Sequence, residues 1–135
     1  MPIIQLSLDE TKPASFHYAL ARRLSSLRDE GVLIVGSGNL VDNLHTYSWG
    51  RHPVEPFDWG VRFEHLAREF ILARDHASLV NYQALGPDAM LAIPTPEHYL
   101  PLLYVLAQQQ DGEPTAFPVA GFDGGSISML SVRVA

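Results

Sequence analysis

Residues 27–44 read LRDEGVLIVGSGNLVDNL, and this stretch decides the fold class. Arg28, Asp29 and Glu30 close a helical pattern, and Gly31 stands where a helix C-terminus favours a left-handed residue. Val32, Leu33, Ile34 and Val35 are then consecutively apolar with no alternation, which reads as a strand covered on both faces in a parallel sheet. Gly36-Ser37-Gly38-Asn39 follows at the carboxyl end of that strand, the edge at which open α/β sheets place their ligands. Upstream, residues 3–8 (IIQLSL) form a short β-rich run and residues 9–13 are turn chemistry. Phe16, Ala19, Leu20, Leu24 and Leu27 recur at helical spacing behind Ser15 as a cap. Together these segments predict one β-α-β unit, right-handed by default.

Downstream, residues 47–58 contain Pro53 and Pro56 among Trp49, Phe57 and Trp59, the pattern of an ordered aromatic loop. Residues 57–75 are amphipathic, with Phe63, Leu66, Phe70 and Ile71 on one face and Arg62, Glu64, Arg68 and Glu69 on another. A short helix near Leu79 and a Gly86-Pro87 turn come next. Thr95 as N-cap, Pro96 and Glu97 open a further helix. Its residues Leu102, Leu103, Val105 and Leu106 are apolar enough to be buried until residues 108–110 (QQQ) return it to solvent. Residues 115–119 and 126–134 read as closing strands joined by the glycine-rich turn 121–125. The expectation is one α/β domain over residues 1–135, with an open, largely parallel sheet flanked by helices and a C-terminal strand pair.

With 47% apolar and 18% charged side chains, a chain of this size buries an ordinary core, which argues against a disordered tail or a coiled coil. The formal charge is −6, and the cations are one lysine, Lys12, and eight scattered arginines. No basic stripe exists to neutralise a phosphate backbone, so nucleic acid is not an expected partner. No apolar run approaches the roughly 18 residues of a membrane helix, and residues 1–3 lead into a strand, not a signal peptide. A cytoplasmic protein without a membrane partner is expected.

The sequence has no cysteine, which leaves His, Asp and Glu as metal ligands, a donor set that suits iron, manganese or zinc. The constellation to weigh is Asp42, His45 and His98. If residues 40–45 open a helix, Asp42 and His45 lie three apart on one face; the alternative is that Asp42 and Asn43 are turn or capping residues. A position in the first turn of its helix disfavours the imidazolium of His98 and keeps a ring that can coordinate. A histidine bonded to a nearby carbonyl is the alternative there. His17 reads as a packing residue, and His52, His65 and His76 as solvated. Gly36-Ser37-Gly38-Asn39 lacks the lysine of a phosphate loop and the third glycine of a dinucleotide fingerprint.

Four stretches together resemble the DODA-type, LigB-like class III extradiol ring-cleavage dioxygenases: PIIQLSLD at 2–9, LRDEGVLIVGSGNLVDNL at 27–44, LVNYQALGPDAMLAIPTPEHYLPLLYVL at 79–106 and GGSISMLSVRV at 124–134. The pairing of TPEHYLPLLYVL with VGSGNLVxNL is the most specific part. The resemblance implies a non-haem metal, Fe(II) in ring-cleaving members or Zn(II), held mainly by histidines at the carboxyl edge of the sheet, and a catechol-type small-molecule substrate. It makes His98 a metal-site histidine. Where the family commonly reads Asn-x-x-His-Asn, this chain reads Asn39-Leu40-Val41-Asp42-Asn43, so Asp42 stands in place of a histidine. An aspartate with two histidines is itself a recognised triad, and His45, one turn on, is the compensating candidate.

The resemblance also implies absences. Such proteins are about twice this length, and their Gly-His-Gly, Ser-Ala-His and Asp-His-Gly segments, which supply further ligands and the acid/base histidine, do not occur here. The chain therefore matches the C-terminal half of a LigB-like fold. Two readings follow. One is an extradiol dioxygenase subunit, incomplete alone and completed by a separately encoded N-terminal half. The other is a non-catalytic, small oligomeric ligand-binding remnant. A parallel sheet without its neighbouring half exposes a costly edge, so a homo-oligomer or a heteromeric complex is expected in both.

Overall fold

The interior is organised by helix α2 (Asp58–Leu72), whose residues Phe63, Ala67 and Ile71 recur every fourth position and are buried, giving the single apolar stripe of an amphipathic helix. The computed structural model describes residues 1–51 and 53–135; His52 lies outside the described residues. The α2 stripe shares one core with Leu79 of α3 (His76–Val80), Ala89 and Ala92 of α4 (Pro87–Ala92), and Leu100, Leu103 and Leu106 of α5 (Leu100–Leu106). A smaller cluster of Ala21, Tyr104 and Ala107 holds α1 (Ala14–Arg23) against α5. Two short 3-10 segments, Ser25–Glu30 and Tyr82–Leu85, complete the helical part.

Helices α1, α2, α3 and α5 fall where the sequence places them, with adjusted ends, while α4 stands where the sequence reads only a Gly86-Pro87 turn. Pro13, not Ser15, occupies the N-cap of α1. Gly31 takes φ +80° and its N–H caps the carbonyls of Arg28 and Leu27, as a left-handed terminator should. Pro87 opens α4 directly after Gly86. α3 owes its start to Asp75, whose carboxylate accepts from the Ser78 N–H at 3.1 Å and the Ser78 hydroxyl at 2.6 Å.

The two runs that the sequence reads as strands do not form a sheet among the described residues. Residues 3–8 and 32–35 join no ladder, and Ile4, Leu33 and Val35 are 95%, 81% and 76% exposed. A strand exists only through the N–H and C=O groups of its neighbours, and among the described residues no segment pairs with either run. The β structure present is antiparallel. Thr115–Ala116 (β1) pairs with Arg133–Val134 (β4), and Phe122–Asp123 (β2) with Ile127–Ser128 (β3). The expected closing pair is thus two short ladders, interrupted where Gly121 takes φ +125°.

Several polar side chains are deeper than their local pattern indicates. Gln108 and Gln109 do not return the chain to solvent: both are buried, and their amides donate to the carbonyls of Ala21 and Tyr104 and to Thr115 Oγ1. Glu64, placed on the polar face by periodicity, is 7% exposed. His76 is half-buried between the Tyr18 hydroxyl (2.8 Å) and Gln109 (3.1 Å), not solvated. His17 is buried, as its packing role requires, bonded to Tyr104 Oη and the Asp9 carbonyl at 2.9 Å each. The residues before β1 are tied back by a bidentate pair between Arg28 and Glu113 at 2.9 and 2.6 Å.

That guanidinium, with the Gln110 N–H, holds the Glu113 carboxyl down to about 2 from its ordinary 4.5. Glu113 is thus ionised in the native protein at a pH where it is protonated in the unfolded chain. Its contribution is full above about pH 4.5 and is lost as the pH falls towards 2. Urea titrations between pH 6 and 3 should show stability declining on acidification, and Glu113→Gln should remove part of that slope while lowering stability at pH 6.

Candidate metal centre

Residues 36–43 cross the turn that precedes α5 at unusually short range. A Cβ at Gly36 would collide with the Pro101 carbonyl, and one at Gly38 with the His98 carbonyl; both glycines are required by close approach and not by left-handed backbone. The approach lets the Asn39 N–H donate to the His98 carbonyl at 2.8 Å, while Asn39 Nδ2 donates to the Ser128 carbonyl at 2.8 Å. The chain is then clamped on both sides. The Asp42 N–H reaches Ala92 O (2.9 Å), the Ser128 N–H reaches Val41 O (2.9 Å), the Asn43 N–H reaches Ser126 O (3.2 Å), and Asp42 forms an isolated antiparallel bridge with Ile127.

This clamp brings together two of the three candidate ligands. His98 Nδ1 and Asp42 Oδ2 are 3.4 Å apart, with the His98 side chain 49% exposed and that of Asp42 12% exposed. Two donors on one cation, each bonded at about 2.0–2.2 Å, stand about this far apart. His45 is not part of the arrangement. Residues 40–45 form no helix: the Asn43 side chain accepts from the His45 N–H at 3.1 Å and the Thr46 N–H turns back to the Asn43 carbonyl, so Asn43 builds an Asx turn and His45 is exposed. Among the described residues no three His, Asp or Glu side chains converge as a metal-binding group. The donor set present fits as two ligands of a site and not as a closed one.

His98 also sits one step earlier than the sequence places it. The Tyr99 and Leu100 N–H groups bond the Pro96 carbonyl, and α5 begins at Leu100, which puts His98 in the turn before the helix. The Thr95 hydroxyl donates to Glu97 Oε1 at 2.7 Å and does not cap the helix; that bond holds the Glu97 carboxyl below its ordinary value.

Local sequence gave no sign of the support beneath the site. The Ser128 hydroxyl donates to Glu64 Oε2 at 2.5 Å, and Arg68 donates to Glu64 Oε1 at 2.8 Å, so a buried carboxylate on α2 anchors the strand that bridges Asp42. The signal lies in a pairing 64 residues apart, which no periodicity reports. Beside His98 runs a groove of about 620 Å³ lined by residues 32–40, Leu102, Val105 and residues 130–135.

No family model matches the chain. Relatives of known name do. Over 137 aligned positions the chain is 42% identical to a protein of Escherichia coli (strain K12), covering 99% of this chain and 50% of that protein. That protein is named 4,5-DOPA dioxygenase extradiol. The proteins so named from Beta vulgaris and Portulaca grandiflora are 28% and 29% identical, each over 98% of this chain and 49% of their own length. The crystal structure of an uncharacterised protein of Escherichia coli K12 matches with a TM-score of 0.84 and 43% identity, covering 93% of this chain and 52% of that one. The chain spans about half the length of the curated relatives it matches.

The clamp and the His98–Asp42 pair separate in a stability measurement. Gly38→Ala should cost about 1–3 kcal/mol through the collision with the His98 carbonyl. Ser128→Ala should cost about 1–3 kcal/mol by leaving a buried Glu64 oxygen unpaired. Asp42→Asn should stay within about 1 kcal/mol, because its partner is half-exposed. Urea unfolding of the three variants checks the order.

Proposed function

We propose that this chain is the C-terminal half of a LigB-like class III extradiol dioxygenase, contributing His98 and Asp42 to a non-haem Fe(II) or Zn(II) centre that acts on a catechol-type substrate. The observation that carries the reading is the 42% identity over 99% of the chain to a protein named as such a dioxygenase, and it is supported by the approach of His98 to Asp42 within 3.4 Å. In this reading residues 3–8 and 32–35 are strands of an open, largely parallel sheet, completed by the half of the relatives that the chain does not span. Such a strand is apolar on both faces, as residues 32–35 are.

Bound at the site, Fe(II) supplies the redox chemistry by which dioxygen opens an aromatic ring beside its two hydroxyls. The chain's own part is narrower. His98 offers a half-exposed imidazole, while Asp42, its backbone fixed on both sides, offers an oxygen that is largely withdrawn from water. A carboxylate in place of an imidazole adds one negative charge to the donor set, which offsets a divalent cation more fully. Partly withdrawn from water, that charge is favoured by a cation beside it. At least one more ligand and the acid/base group come from the other half.

The test pairs the chain, by co-expression, with the half of the Escherichia coli relative that it does not match, and supplies iron(II). About one metal per complex, oxygen uptake on a catechol and a yellow ring-opened product are expected, with the chain alone turning over nothing. His98→Ala should lower metal affinity and turnover on the order of a hundredfold or more. Absence of both metal and turnover in the assembled complex would leave the non-catalytic ligand-binding oligomer as the reading to keep.

A further inference from the structure

We infer that Glu64 is a positioning residue for the His98–Asp42 pair, acting through Ser128 on the segment that carries Asp42, an inference that rests on the functional reading above. Gly60, Glu64 and Arg68 follow one another at four-residue spacing along α2, so they form one row on its surface. A Cβ at Gly60 would stand 3.2 Å from the Phe122 ring and 3.6 Å from the Val41 side chain. The helix therefore lies directly on β2 and on the residue before Asp42. One turn further, Glu64 is buried with both oxygens engaged. Its Oε2 accepts from the Ser128 hydroxyl at 2.5 Å, and its Oε1 accepts from Arg68 Nη2 and Nε at 2.8 and 3.1 Å.

Ser128 is fully buried and uses every polar group it has at this junction. Its hydroxyl donates to Glu64 and accepts from the Leu130 N–H at 3.2 Å. Its N–H donates to the Val41 carbonyl at 2.9 Å, and its carbonyl accepts from Asn39 Nδ2 at 2.8 Å. Residues 39 and 41 are thus gripped by one side of Ser128 while a carboxylate on α2 fixes the other. A hydroxyl-to-carboxylate bond this short is charge-assisted and roughly twice as strong as a neutral one.

A mere tie between helix and hairpin needs no charge, because well-packed apolar side chains in place of a buried ion pair are often neutral or stabilising. What the carboxylate adds is direction. A hydrogen bond fixes the orientation of Ser128, and an apolar contact does not. Both members of the pair are reached from Ser128 in one step. Asn39 lies between it and His98, whose carbonyl the Asn39 N–H holds. Val41 lies between it and Asp42, which also bridges Ile127, the neighbour of Ser128. Bonds of this kind behind a metal ligand are worth roughly ten- to a hundredfold in metal affinity.

The experiment follows the amides of Asn39, Asp42, Asn43 and Ser128 by hydrogen–deuterium exchange in the full chain. Glu64→Ala should speed their exchange about tenfold more than that of Leu103 and Leu106 in α5, as a local release does. Ser128→Ala should give the same pattern and carries the reading if Glu64→Ala does not fold. Glu64→Gln keeps an acceptor for the Ser128 hydroxyl and should restore most of the protection. At one fixed pH, the His98 ring nitrogen resonances should move in Glu64→Ala, or in Ser128→Ala, towards their positions in Asp42→Asn. Acceleration spread evenly over α2 and α5, failure of Glu64→Gln to rescue, or unmoved His98 resonances would each overturn the inference. In the complex with the unmatched half of the Escherichia coli relative, Glu64→Ala should raise the Kd for cobalt(II) about tenfold or more, and an unchanged Kd would overturn it as well. A wild-type complex that takes up no cobalt(II) would sink the catalytic reading, with the exchange and His98 readings still deciding the role of Glu64.

Discussion

Gly36 and Gly38 pass so close to the carbonyls of Pro101 and His98 that no side chain fits between them, and this contact fixes the one distance of chemical interest in the molecule. It lets the Asn39 N–H hold the turn of residues 96–99 in place, and three residues later the bridge to Ile127 holds Asp42 opposite. The backbones that carry the pair at 3.4 Å are thus both held in place. Backbone-borne geometry of this sort is what a metal centre needs, since ligand positions must be set before the cation arrives.

The helices were legible because their information is local. Phe63, Ala67 and Ile71 repeat at one spacing, Gly31 and Pro87 mark ends, and each reports its state through neighbours within a turn or two. The strands at residues 3–8 and 32–35 were equally clear as patterns, yet pattern is a statement about an environment, and the environment here is not in the chain. Glu64, Gln108 and Gln109 were misread for the converse reason: their partners lie far along the sequence or in the main chain, and periodicity has no access to either.

The site divides along the same line. His98 is singled out by its motif and Asp42 by its place in residues 39–43, and their approach to 3.4 Å is tertiary. His45 is not brought beside the other two because Asn43 builds its own turn in place of the helix, a competition between side chain and helix that spacing alone does not resolve. What supports Asp42 from behind, the Arg68–Glu64–Ser128 chain, could be seen only once α2 and β3 were side by side.

The unpaired edge has one more property. Residues 1–8 and 31–41 contain no ionisable side chain, although the protein as a whole has a net charge of −6. Burying that stretch against apolar neighbours removes hydrocarbon from water, and its thermodynamic mark is a fall in heat capacity. Warming from the cold should strengthen such a contact, while Arg28 and Arg133 in the adjoining groove keep its rim sensitive to salt.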